Sequence, residues 1–170
     1  MKIEVLQVGN LKANCYFIIE GNDLIVVDPG DEYEKIKTKI GEYNLKAIFL
    51  THAHFDHNGA LEKLLNNHEV SVNPKIVHGF NYQILYTPGH TEDSITFYFP
   101  DERVMFTGDF IFHQAIGRTD FPGGSNEKMM KSLEMIKKYQ DDVTVYPGHG
   151  SETILGEEKL RFNAYLKALT

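Results

Sequence analysis

The feature that most restricts this chain is the segment Thr51 to Ala60, THAHFDHNGA, in which His52, His54, Asp56 and His57 fall within six positions. It follows the apolar run Ala47 to Leu50, which reads as a buried strand. Three further apolar runs end the same way. Ile84 to Tyr86 leads into TPGHT with His90, Val104 to Phe106 into TGDF with Asp109, and Val143 to Tyr146 into PGHG with His149. Glycine at 89, 108 and 148 lets the backbone turn sharply, so that the next side chain points back over the strand ends. Loops at strand ends are where layered α/β proteins build their sites.

These residue types point to metal ligation. Residues 52 and 54 face one side of an extended segment, whereas 57, one turn into a helix start, faces a neighbouring point. Four ligands from one loop do not fit a single tetrahedral ion comfortably. With His90, Asp109 and His149 added, the nitrogen and oxygen donors divide into two centres sharing one carboxylate, with ions about 3.5–4 Å apart. A lone histidine after a turn is usually an ordinary surface residue, so His68, His78 and His113 are set outside the site. Asp28 in VVDPGD also follows an apolar strand and reads as supporting a ligand or a turn instead of binding metal directly. Cys15 reads as a small core residue.

Along the chain, strands are expected at Ile3 to Val8, Cys15 to Ile19 and Leu24 to Val27, then a helix from Glu32 to Tyr43 with Tyr33, Ile36 and Ile40 on one face. The strand Lys46 to Leu50 and a helix capped by Asp56 and reaching Asn66, with Leu61, Leu64 and Leu65 inward, complete this half. The second half repeats the plan: strands at Tyr82 to Tyr86, Ser94 to Phe99 and Arg103 to Phe106, a helix from Asn126 to Tyr139, a strand at Val143 to Tyr146. A last helix from Gly156 to Leu169 is expected to bury Leu160, Phe162, Leu166 and Leu169. No linker-like stretch divides the 170 residues, so one domain, 1–170, is expected. Two halves of meander, helix, strand and helix suggest two sheets with helices outside.

Composition excludes several classes. Seventeen Lys and Arg against 24 Asp and Glu leave a net charge of −7, which repels polyphosphates, so nucleic acid is not expected as a partner. A single cysteine makes neither an internal disulfide nor a cysteine-based zinc site, consistent with a cytoplasmic protein. The longest apolar run, Cys15 to Ile19, is too short to span a membrane, and MKIEVLQVGN lacks a signal-peptide core. The oligomeric state is not legible.

On THAHFDH, TPGHT, TGDF and PGHG, in that order, the chain resembles the metallo-β-lactamase-fold hydrolase superfamily over nearly its whole length. The stretch IGRTDFPGG at 116–124 and YPGHGSETILGEE after it are similar to short, single-domain glyoxalase II-like hydrolases. The resemblance implies an α/β (α+β), four-layer αββα sandwich with a dinuclear site. It implies that His52, His54 and His90 hold one metal, that Asp56, His57 and His149 hold the other, and that Asp109 bridges them, Asp56 and Asp109 being the catalytic carboxylates. Zinc suits these donors, and iron or manganese would also fit. His57 and His90 are 33 positions apart, shorter than is usual in that family, which implies a trimmed helix or strand. Full-length glyoxalase II carries a further C-terminal helical region that grips glutathione. Here 21 residues follow His149, so weak discrimination between thiol carriers is expected.

The implied reaction is attack of a metal-bridging hydroxide on the carbonyl of a small thioester such as S-lactoylglutathione, with a thiolate as leaving group. The chain contains no GxSxG nucleophile elbow, which disfavours an acyl-enzyme. Two other readings stay open. GRTDF also occurs in persulfide dioxygenases, which use one iron and dioxygen, and a non-catalytic metal-binding module is the third. Two roles are open to Arg118: pairing with Asp120 to hold the 116–124 loop, or meeting a substrate carboxylate.

Overall fold

A computed structural model describes residues 1–170, which gather into two compact units, Met1–Tyr82 and Gln83–Thr170. The first opens with the antiparallel meander β1 (Lys2–Val8), β2 (Ala13–Glu20) and β3 (Asp23–Val27). Helix α1 (Tyr33–Ile40) then carries the chain to β4 (Asn44–Phe49), which runs parallel to β3. A two-residue strand, β5 (Ser71–Val72), pairs with β4 and closes the order β1-β2-β3-β4-β5. Strand alternation sends Ala13, Cys15, Phe17 and Ile19 of β2 and Leu24 and Val26 of β3 into one core with Ile36 and Ile40 of α1. The alternate residues Tyr16, Ile18, Ile25 and Val27 are buried too, which is why both strands read as continuous apolar runs. Cys15 belongs to this core, and burial holds its thiol pKa well above the ordinary value.

The second unit repeats the scheme. The meander β6 (Gln83–Tyr86), β7 (Ile95–Phe99) and β8 (Val104–Gly108) is followed by the hairpin β9 (Ile111–Phe112) and β10 (Ala115–Ile116). Helix α4 (Asn126–Ile136), with the Ser125 hydroxyl accepting from the Lys128 N–H, leads to β11 (Thr144–Pro147), parallel to β8. Strand β12 (Thr153–Ile154) and helix α5 (Leu155–Leu169) finish the chain, giving the order β12-β11-β8-β7-β6. Met129, Leu133 and Ile136 of α4 join Leu155 and Phe162 of α5 and Met105 and Val145 of the sheet in a core.

Several local expectations change. The helix after Thr51 is two short pieces, α2 (Phe55–Asn58) and α3 (Leu61–Asn67), and its N-cap is His54, with Asp56 inside the first turn. Leu65 is 38% exposed, so the inward stripe of α3 is Leu61 and Leu64. Leu160 is 84% exposed because it lies about 200° around the helix from the buried Phe162. Its expected place in the core is taken by Glu158. Between β5 and β6 only the isolated Val77–Phe80 bridge is regular. No helix is long and apolar enough to cross a membrane.

Glu158 of α5 is fully buried, and its carboxylate accepts hydrogen bonds from the Thr153 hydroxyl (2.7 Å) and the Gln114 backbone N–H (3.0 Å). It ties α5 to β12 and to the β9–β10 turn, where Gln114 has φ 60°. Removing the acceptor strands two donors, so Glu158→Ala is expected to lower unfolding free energy by about 1–3 kcal/mol in urea denaturation. A loss under about 0.5 kcal/mol, the range of ordinary surface substitutions, would show that this tie contributes nothing.

Candidate metal centre

In the first unit the donors are organised by the parallel pair β3 and β4, whose C-terminal ends lie at the same sheet edge. The Asp28 N–H bonds to the Phe49 carbonyl (2.8 Å), which sets the residue after β3 beside the residues after β4. Asp28 has φ 49°, a conformation that turns its side chain back across this edge. Its Oδ1 accepts from the Thr51 N–H (2.7 Å) and its Oδ2 from the Thr51 hydroxyl (2.7 Å) and His57 Nδ1 (2.9 Å). The Thr51 hydroxyl, having donated to Asp28, accepts from His52 Nδ1 at 3.0 Å. These bonds place the protons of both rings on Nδ1 and leave each Nε2 as the lone-pair donor. His52 Nε2 lies 3.1 Å from His54 Nδ1, and His57 Nε2 lies 3.7 Å from Asp56 Oδ2. His52, His57 and Asp28 are buried, and His54 and Asp56 are partly exposed. Gly30 fixes the loop's position, because a Cβ there would stand 1.7 Å from the Asp56 carbonyl oxygen.

In the second unit β6, β8 and β11 point the same way, so TPGHT, TGDF and PGHG leave one edge. A hydrogen bond from the Gly148 N–H to the Gly108 carbonyl (2.8 Å) carries the β8–β11 ladder past the strands and sets His149 beside Asp109. His90 Nε2 is 3.5 Å from Asp109 Oδ2, and His149 Nε2 is 3.7 Å from Asp109 Oδ1, so the carboxylate stands between two imidazoles with one oxygen toward each. His90 Nδ1 donates to the Arg118 carbonyl (2.8 Å), which again leaves Nε2 as the donor. Gly89 and Gly108 have the positive φ values their turns need, and in the last motif that role falls to Gly150 instead of Gly148.

The donor set fits divalent metal. Two donors about 2.0–2.1 Å from one tetrahedral ion lie roughly 3.4 Å apart. The four separations within the units, 3.1, 3.7, 3.5 and 3.7 Å, bracket that value. The carboxylate–nitrogen distances are too long for hydrogen bonds but suit an ion held by both atoms. The His and Asp clusters are therefore compatible with binding divalent metals, and the mixture of imidazole and carboxylate does not single out zinc, iron or manganese.

Within each unit the expected donors converge: His52, His54, Asp56 and His57 in one, His90, Asp109 and His149 in the other. His78 and His113 are exposed and His68 is half-buried, each apart from these groups. His113 Nδ1 lies 3.9 Å from Glu158. Arg118 makes a two-pronged ion pair with Asp120, both bonds 2.6 Å, and its guanidinium holds the Asp120 carboxyl down at about 2. The pairing role open to Arg118 is the one the structure takes, with the cation also stacked over the Phe121 ring. Sequence reading missed the Arg118 carbonyl, since a backbone acceptor has no residue signature. It also missed Thr51, whose position next to the first histidine was the available signal.

The family model of the metallo-beta-lactamase superfamily matches residues 8–73 and 74–149. Hydroxyacylglutathione hydrolase GloC of Haemophilus influenzae is 33% identical, with 99% of each chain covered. The B3 metallo-beta-lactamase BLEG-1 superposes with a TM-score of 0.88 at 27% identity, covering 97% of this chain and 99% of that one. TTHA1623, solved in a di-iron-bound form, superposes with a TM-score of 0.81 at 30% identity, covering 91% and 96%. The α/β fold expected from the motifs is thus the fold of this chain, which belongs to the metallo-β-lactamase superfamily.

Proposed function

We propose that this metallo-hydrolase is a dinuclear thioester hydrolase of the glyoxalase II type, acting on a small thioester such as S-lactoylglutathione, and that residues 1–170 work as one catalytic domain. His52, His54 and His90 are taken to hold one ion, Asp56, His57 and His149 the other, with Asp109 bridging. The observation that carries this reading is the Asp109 carboxylate, with one oxygen 3.5 Å from His90 Nε2 and the other 3.7 Å from His149 Nε2. A side chain that offers one oxygen to each of two imidazole donors supports the reading of a shared pair of ions. The 33% identity to GloC over nearly both chains supports the thioester class.

When bound, a pair of divalent ions lowers the pKa of water toward neutrality and polarises a carbonyl oxygen. The chain's own residues supply orientation. Asp28 keeps the proton on His57 Nδ1, the Thr51 hydroxyl keeps it on His52 Nδ1 and the Arg118 carbonyl keeps it on His90 Nδ1, so all three rings present the same nitrogen. A thiolate departs far more readily than an alkoxide, so no strong general acid is required of the protein. The absence of a serine elbow agrees with water as the nucleophile.

The metal-loaded protein is expected to release thiol from S-lactoylglutathione, to stop when a chelator strips it, and to recover on readdition of zinc, iron or manganese. Acid should weaken metal retention and turnover together, because imidazolium does not ligate. Thiol release that survives exhaustive chelation would overturn the proposal, as would oxygen uptake with a persulfide in its place. Asp109→Ala is expected to lower metal content and turnover together, whereas His113→Ala should keep its metal. Full metal content and normal turnover in Asp109→Ala would remove the bridging role.

A further inference from the structure

The first unit contains a cleft of about 270 Å³ that the ligand set does not account for. Its floor is backbone at Gly9, Gly30 and Gly59, its walls are Val8, Leu11 and Phe55, and Asp31 and Asp56 supply its carboxylates. At its mouth Leu11 is 55% and Phe55 74% exposed. No lysine or arginine lines it. Asp56 opens one end of the cleft to the metal donors.

The two neighbouring acids at 31 and 32 have different duties. Glu32 is committed to structure: its carboxylate accepts from the Gly9 N–H (3.1 Å) and pairs with Lys35, fixing the β1–β2 turn, and these contacts lower its pKa. Asp31 accepts only the Glu32 backbone N–H through Oδ1 (2.6 Å), while Oδ2 sits beside Gly9, where a Cβ would approach within 3.1 Å. An exposed aromatic ring and a carboxylate without a basic side chain, lining one small cleft, form the pair of features that recognises an organic ammonium group.

Resting on the thioesterase reading, we infer that this cleft is the carrier subsite, and that it selects thioesters whose leaving thiol bears a short apolar arm ending in a cationic ammonium, with Asp31 as the specificity-determining residue. In hydrolysis water adds to the carbonyl carbon, the C–S bond breaks with its electron pair passing to sulfur, and a carboxylic acid and a thiol result. Negative charge develops on the sulfur as that bond breaks, and with the carrier in the cleft it adds to the charge of Asp31. A cation on the carrier offsets it, whereas an anionic carrier adds to the repulsion, so S-lactoylglutathione, whose carrier bears two carboxylates against one ammonium, ranks below cationic thioesters among the substrates.

The test compares kcat/KM for acetylthiocholine with its uncharged carbon isostere, the thioacetate of 3,3-dimethylbutane-1-thiol, and with S-acetyl-3-mercaptopropionate, using metal-loaded protein. The expected order is cationic over neutral by about tenfold, worth about 1.4 kcal/mol, with the anionic ester slowest. Asp31→Asn should bring the cationic and neutral esters within about twofold while hydrolysis of the neutral ester persists. Equal rates for the two isosteres in the wild type, or an unchanged ratio in Asp31→Asn, would overturn the inference and leave the hydrolase reading standing. A larger preference for a betainyl thioester of a neutral thiol would move the cation to the acyl side and overturn the carrier assignment. A separate readout covers failure of the hydrolase reading. S-methylthiocholine, which lacks a thioester bond, should shift the backbone resonances of Leu11 and Phe55 in the wild type and not in Asp31→Asn. No shift in the wild type would overturn the cleft independently of turnover.

Discussion

The carboxylate of Asp28 is the interaction on which the first unit's donor group depends. It joins the end of β3 to the end of β4 through Thr51 and at the same time fixes the ring of His57. Buried and hydrogen-bonded on both oxygens, it is costly to place and costly to disturb. Its left-handed backbone adds strain of a kind that persists only where the surroundings enforce it. The second unit solves the same problem differently, with the carbonyl of Arg118 orienting His90 and a backbone bond from Gly148 to Gly108 aligning His149 with Asp109. In both units a meander feeds a helix and then a parallel strand, so the chemistry collects where parallel strands end.

Much of this was legible in the residues. The long elements carry a clear period: β2 and β3 are continuous apolar runs, and Ile36 and Ile40 of α1 are buried at a spacing of four, as the helical pattern required. The seven candidate donors were readable because each motif follows an apolar strand, and His90, Asp109 and His149 follow through a glycine turn. The two-residue strands β5, β9, β10 and β12 were not, because two residues have no period and their pairing is decided by distant partners. Leu160 falls on the exposed face of an otherwise amphipathic helix because the phase is set by the buried Phe162, and the inward position goes to Glu158. A buried glutamate is recognisable only from its partners, here Thr153 and the Gln114 N–H, which sequence does not juxtapose.

The supporting contacts also separate affinity from identity. Imidazole and carboxylate donors with preset tautomers accept several divalent ions, and a relative of the same fold has been solved with two irons. Nothing in the donor types forces zinc. Outside the donor set, Leu11, Asp31 and Phe55 line one cleft, and the Arg118–Asp120 pair with Phe121 lies beside His90. Such surface groups can change while the strand-end motifs stay, which is how one fold carries many hydrolytic activities.

The central claim is that the chain presents donors for two ions sharing Asp109. Elemental analysis of the protein loaded at neutral pH, desalted and quantified by amino-acid analysis, tests it most directly. Two divalent ions per folded chain are predicted; a saturating stoichiometry of one ion per chain, or none, would contradict it.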